Sequence, residues 1–248
     1  MGIGTNILGY ANKHVDNAVI KNIRKSNMST FNCPEEVKLA EKLLELDDWA
    51  QMVRFAKTGG EANAIAIRIA RASSGKSKVA ICGYHGWHDW YLSLNHTKDN
   101  ELENHLLPNL SISGVPSELK NTNYSFLYND FNSFKKLIDK HDIGTVKMGV
   151  ERSNPPKDNF LERIRETCTK KGIVLIFDEC TSGFRQTSSG LYKKYNVIPD
   201  MVIYGKALGN GYPITAILGK KEVMESAQKT FISSTFWTER SGVTAALE

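Results

Sequence analysis

The apolar positions of this chain switch repeatedly between helical and strand spacing, and the switches mark out its elements. Residues 12–26 carry Val15, Ala18, Val19 and Ile23 at the spacing of one helix face. Pro34 opens a second helical stretch, with Val37, Ala40, Leu43 and Leu44 on one side and proline at a first-turn position. Short apolar runs of strand length occur at 52–55, 79–82, 146–151, 173–177, 201–204 and 214–218. Between them helical spacing returns at 61–72, 131–140, 159–171 and 221–229, and Gly172 stops the third of these. Residues 95–123 are polar, rich in Ser and Asn and broken by Pro108, Gly114 and Pro116, and read as a long surface loop. Strands alternating with helices of these lengths predict an α/β fold with a mainly parallel sheet sandwiched by helices.

Two of the predicted strands deliver a charge where the apolar run stops. One finishes in Asp178, and the other is followed by Gly205 and Lys206. Ligands of open α/β sheets bind outside the carboxyl ends of the strands, so both charges are expected to face one crevice. Taken singly, Asp178 reads as a helix cap and Lys206 as a surface lysine. Together, beside the glycine-rich turns at Gly183 and Gly205-Gly209-Gly211, they suit a pyridoxal phosphate site. There a lysine forms a Schiff base and a carboxylate keeps the ring nitrogen protonated.

Composition narrows the remaining classes. At 248 residues and 41% hydrophobic, the chain suffices for one large domain over residues 1–248. Its 24% charged residues argue against disorder. The net charge of +5 is dispersed over Lys76/Lys78, Lys135/Lys136, Lys170/Lys171, Lys193/Lys194 and Lys220/Lys221, which reads as solvated helix faces and not as a nucleic-acid surface. Cys33, Cys82, Cys168 and Cys180 form no CxxC pair and read as buried, reduced side chains. With no bilayer-length apolar run and no signal-peptide pattern, the expected location is cytoplasmic, with no membrane partner. Both ends look abrupt, so the chain is expected to be truncated.

Two further segments carry candidate chemistry. Thr58-Gly59-Gly60-Glu61 lies between a strand and a helix, where close backbone approach and free N–H groups make a phosphate cradle. As an isolated motif it is equally a plain turn. It is not a P-loop, which removes the nucleotide-hydrolase reading. In Tyr84-His85-Gly86-Trp87-His88-Asp89 an aromatic ring is placed to stack on a flat cofactor. The alternatives there are a structural loop or a metal site through His85, His88 and Asp89, and no metal is expected.

The segments Phe177-Asp-Glu-Cys-Thr-Ser-Gly-Phe-Arg185 and Gly205-Lys-Ala-Leu-Gly-Asn-Gly-Tyr-Pro213 carry a family resemblance. The chain resembles the class III aminotransferases of fold-type I, most closely the glutamate-1-semialdehyde 2,1-aminomutase branch, along nearly its whole length. The resemblance implies the large domain of a pyridoxal 5'-phosphate (PLP) enzyme, incomplete and lacking an N-terminal segment and a C-terminal small domain, with Lys206 in Schiff-base linkage and Asp178 on the ring nitrogen. It implies further cofactor contacts from Thr58, Gly59 and Gly60 to the phosphate, from Tyr84 as a stacking ring, and from His85 and Thr181. Thr235 would reach the phosphate of a neighbouring subunit, which implies a homodimer with shared sites. Glu151 and Arg152 would lie on the substrate side, facing a small-molecule amino donor and a carbonyl acceptor.

The chain departs from that pattern in Gly60, where relatives carry a hydroxyl residue, and in Arg152-Ser-Asn-Pro-Pro156, where proline often follows the acidic residue directly. The second function consistent with these residues is an inactive module that keeps only fold and subunit contacts.

Overall fold

The computed structural model describes residues 1–96, 110–151 and 153–248. In chain order the elements are α1 (Lys13–Ile23), α2 (Pro34–Leu46), β1 (Met52–Ala56), α3 (Gly59–Ser74), β2 (Lys78–Cys82) and α4 (Asp89–Leu92). They continue with β3 (Asn123–Ser125), α5 (Phe131–Lys140), β4 (Ile143–Met148), α6 (Phe160–Lys171) and β5 (Val174–Glu179). The chain closes with β6 (Met201–Tyr204), β7 (Thr215–Gly219), α7 (Lys221–Met224) and α8 (Arg240–Leu247).

The seven strands form one sheet in the order β1-β7-β6-β5-β4-β2-β3. Strands β3, β2, β4, β5 and β6 pair in parallel, while β7 runs antiparallel to both β6 and β1. The expected mainly parallel sheet is therefore present, with one reversed strand near its edge. Within β5, Leu175 and Phe177 point to one face and Val174 and Ile176 to the other, as the two-residue period requires. The first face packs on side chains of α2, α5, α6 and α8, and the second is covered chiefly by α3. Both faces are apolar because both are covered.

Several boundaries differ from the sequence expectation. The strand expected at 146–151 is β4, which starts at Ile143 and ends at Met148, so Glu151 lies beyond the strand and does not end it. The expected loop at 95–123 falls partly outside the described residues. Its described part contains a short 3-10 turn at Ser117–Leu119 and, at Asn123, enters edge strand β3. The helix expected at 221–229 is one α turn, α7, continued as 3-10 to Lys229. Helix α3 begins earlier than expected, so Gly59 and Gly60 form its first turn.

Candidate active site

Asp178 and its neighbours centre the site. The carboxylate sits near the carboxyl end of β5 and is buried. His85 Nδ1 lies 2.8 Å from its Oδ2, the Cys180 N–H donates to its Oδ1 at 3.1 Å, and Lys147 Nζ is 3.4 Å from Oδ2. Burial alone raises a carboxyl pKa, but here Lys147 and His85 outweigh it and hold Asp178 well below the usual carboxylate range. A carboxylate offers about four acceptor sites. Three neighbours leave room for one more donor, and Asp178 lines the main cavity of the site.

Lys206 comes from the next strand over. Strands β5 and β6 pair with Asp178 opposite Ile203, so the carboxyl ends of both strands open on the same edge of the sheet. Gly205 follows β6, and a Cβ there would meet Thr215 Cγ2 at 3.0 Å and Cys180 Sγ at 3.3 Å, which favours glycine. Lys206 itself has φ of 46°, a left-handed backbone that costs a non-glycine residue on the order of 1–3 kcal/mol and clusters at functional sites. Its Nζ donates to Thr181 Oγ1 at 2.8 Å.

The Thr58-Gly59-Gly60 segment is the N-terminus of α3. Thr58 is the N-cap, and its hydroxyl oxygen accepts from Glu61 N–H. The N–H groups of Gly59 and Gly60 have no acceptor within the helix, and the dipole adds positive potential there. A Cβ on Gly60 would come within 2.8 Å of His88 Nε2, so the second glycine keeps this end close to the His85-Gly86-Trp87-His88 loop. Thr215 Oγ1 donates to the Thr58 carbonyl at 3.4 Å, and an added Cβ on Gly59 would be 3.7 Å from Cys180 Sγ. The helix start thus adjoins the Asp178–Lys206 region.

A cavity of about 350 Å³ collects five of the expected residues: Tyr84, His85, Glu151, Asp178 and Thr181. Tyr84 lines the cavity, and its ring packs edge-on against Tyr91, 6.0 Å between centroids. Glu151 accepts a hydrogen bond from the Tyr195 hydroxyl and has Lys194 Nζ at 3.8 Å. Thr58, Gly59, Gly60 and Lys206 do not line this cavity but adjoin it through Thr181, Cys180 and the Gly86 loop. Thr235 is exposed in a turn. Arg152 lies outside the described residues. Among the described residues no three His, Cys, Asp or Glu side chains gather as a metal site.

Sequence reasoning missed Lys147, which is fully buried near the carboxyl end of β4. The available signal was a lysine inside an otherwise apolar run, Val146-Lys147-Met148. It also missed Tyr128 and Tyr195, which approach the cavity from segments with no motif of their own. Of the cysteines, Cys180 is only partly buried, because it sits where β5 opens toward the site.

Known proteins resemble this chain in sequence and in fold. The chain matches the class-III aminotransferase family over residues 1–248 and belongs to it. It is 37% identical over 256 residues to the 3-aminobutyryl-CoA aminotransferase of Cloacimonas acidaminovorans, covering 99% of this chain and 58% of that protein. It is 37% identical over 229 residues to the glutamate-1-semialdehyde 2,1-aminomutase of Campylobacter hominis, covering 90% of this chain and 50% of that one. The chain thus spans little more than half the length of these curated relatives. An omega-transaminase from Sphaerobacter thermophilus superposes with a TM-score of 0.87 at 28% identity, over 98% of this chain and 59% of that structure. The fold is the α/β fold of PLP-dependent transaminases.

Proposed function

We propose that this chain is the cofactor-holding part of a PLP-dependent amino-group transferase, moving nitrogen between two small molecules or, as an aminomutase does, within one. The observation that carries the reading is a buried, ionised Asp178 on one strand end and Lys206 on the next, with Thr181 between them. The residues fit the cofactor. Asp178 lines the cavity with an acceptor site to spare, the start of α3 offers N–H groups to a phosphate, and the aromatic side chain of Tyr84 belongs to the same cavity wall.

When bound, PLP supplies an aldehyde for amine capture and a conjugated ring that accepts the electron pair left by a departing proton. The protein's share is positioning and proton movement. Lys206 Nζ would be the amine that holds the cofactor, and it would serve as the base and acid that moves the substrate proton. Asp178 keeps the ring nitrogen protonated, and His85 keeps Asp178 oriented. Thr58, Gly59 and Gly60 hold the phosphate. Glu151, with Tyr195 and Lys194 behind it, faces the substrate side, a place that Arg152 shares by sequence.

A small-molecule amino donor and a carbonyl acceptor are the expected partners. A homodimer is supported by the exposed Thr235, flanked by Phe231 at 85% and Phe236 at 59% exposure, an apolar fringe suited to a second copy. No helix among the described residues is long and apolar enough to cross a membrane, and we place the enzyme in the cytoplasm.

Titration of the purified protein with PLP tests the reading. A visible absorption band that is absent in Lys206→Ala, with borohydride-trapped cofactor mapping to residue 206, is the expected result. Absence of any band in the full chain would instead leave a folded module that keeps only subunit contacts.

A further inference from the structure

Lys147 stands where the sheet should be apolar. In the registers of β4 with its neighbours it lies between Ile81 and Ile176, and by the two-residue period all three share the face covered by α3. Asp178, two residues beyond Ile176, is on that same face, diagonally ahead of Lys147. The ammonium is fully buried, 3.4 Å from Asp178 Oδ2, and Nζ makes no well-directed hydrogen bond. An ion in such a row is costly unless an opposite charge compensates it, and Asp178 is that charge.

The carboxylate therefore serves more than one cation. His85 Nε2 lies 3.1 Å from the Cys82 carbonyl, which can only accept, so Nε2 carries a proton. Nδ1 faces Asp178 Oδ2 at 2.8 Å, and an ionised carboxylate also only accepts. Satisfying both contacts fully requires the imidazolium. Burial and the Lys147 charge oppose it and push the His85 pKa down, while Asp178 pulls it up. A ring nitrogen bound from the cavity side is one more claimant on a single negative charge.

We infer that Lys147 is a positioning residue that shares the charge of Asp178 with His85 and with any cation facing the carboxylate from the cavity. It holds Asp178 ionised whether or not the cavity is filled, and it weakens the grip of the carboxylate on protons held by its other neighbours. Other titratable groups near the pair are the Cys180 thiol and, beyond it, Lys206. The residues that α3 buries over this face are all neutral, Asn63 the polar one among them. The effect on His85 follows from the protein alone, whereas the effect on a bound cofactor rests on the function proposed above.

The test is Lys147→Met in the full chain, read in two ways. In the protein without cofactor, the protonation midpoint of His85 is followed by nitrogen-correlated NMR. After PLP addition, the pH midpoint of the visible band is followed by absorbance. Removing the cation is expected to raise both midpoints by about one pH unit, roughly tenfold in proton affinity. Lys147→Gln, which keeps a donor without the charge, carries the same expectation should the methionine variant fail to fold. Unchanged midpoints in a folded variant overturn the inference. A raised His85 midpoint in a protein that never develops a band supports charge sharing and removes the cofactor reading.

Discussion

The Nζ of Lys206 donates a hydrogen bond to the Thr181 hydroxyl at 2.8 Å, so the candidate nucleophile just past β6 is tied to the turn that follows β5. Thr181 also lines the cavity, which makes its hydroxyl the link between the lysine and the space where the cofactor ring would lie. A hydrogen bond of this kind contributes about 1 kcal/mol, roughly fivefold in a rate.

Thr181→Val keeps the shape and removes the acceptor. Stopped-flow growth of the visible band after mixing with PLP is expected to slow by roughly three- to tenfold. Thr181→Ser should restore most of the rate. Equal rates in the valine variant and the parent would show that Thr181 does not hold Lys206 in place.

What the sequence made legible depended on where the signal lay. Asp178 and Lys206 were legible because each ends an apolar run, and the strand ends of a parallel sheet share one edge. Helix α3 and the Gly172 stop of α6 were legible for the same local reasons, whereas the start of α3 at Gly59, with Thr58 as its cap, was not. Reversal of β7 was in principle legible, since residues 205–214 are too few for a parallel crossover, which takes a dozen or more. Strand β3 is three residues long and was not, because its partner β2 and not its own pattern makes it a strand. Lys147 escaped for another reason. Its meaning comes from a carboxylate about thirty positions away in sequence, and nothing local announces that pairing.

Glu179 offers a prediction in pH. It follows Asp178 in β5 but points to the opposite face, fully buried. Burial pushes its carboxyl up to about 7, against hydrogen bonds donated by the Ser182 hydroxyl and the Tyr192 N–H. Between the ordinary 4.5 and about 7 the folded state binds more protons than the unfolded one, so stability falls as pH rises through that window. The full effect is on the order of 3 kcal/mol. Glu179→Gln is expected to remove this slope, gaining on the parent as pH rises. Urea unfolding of both proteins at about pH 5 and about pH 7.5 checks it. Parallel pH dependence in the two proteins would place the titration elsewhere.

Thr58 separates a structural from a binding role at a single hydroxyl. As N-cap of α3 it satisfies the Glu61 N–H, while Glu61 reaches back to the Lys57 N–H at 2.8 Å. Losing such a cap costs about 1 kcal/mol. The same hydroxyl stands beside the free N–H groups of Gly59 and Gly60, where it can donate to a bound phosphate, a charge-assisted bond of roughly 1.5–3 kcal/mol. Gly60 supplies no second hydroxyl. Thr58→Ala is therefore expected to lose about 1 kcal/mol of stability without cofactor and to bind PLP roughly ten- to a hundredfold more weakly. Thr58→Ser should lose little of either, because a serine hydroxyl caps and donates equally well. Denaturant unfolding without cofactor and equilibrium PLP titration measure the two effects separately. A destabilised alanine variant with unchanged PLP affinity would make Thr58 a cap alone and move the phosphate away from the start of α3.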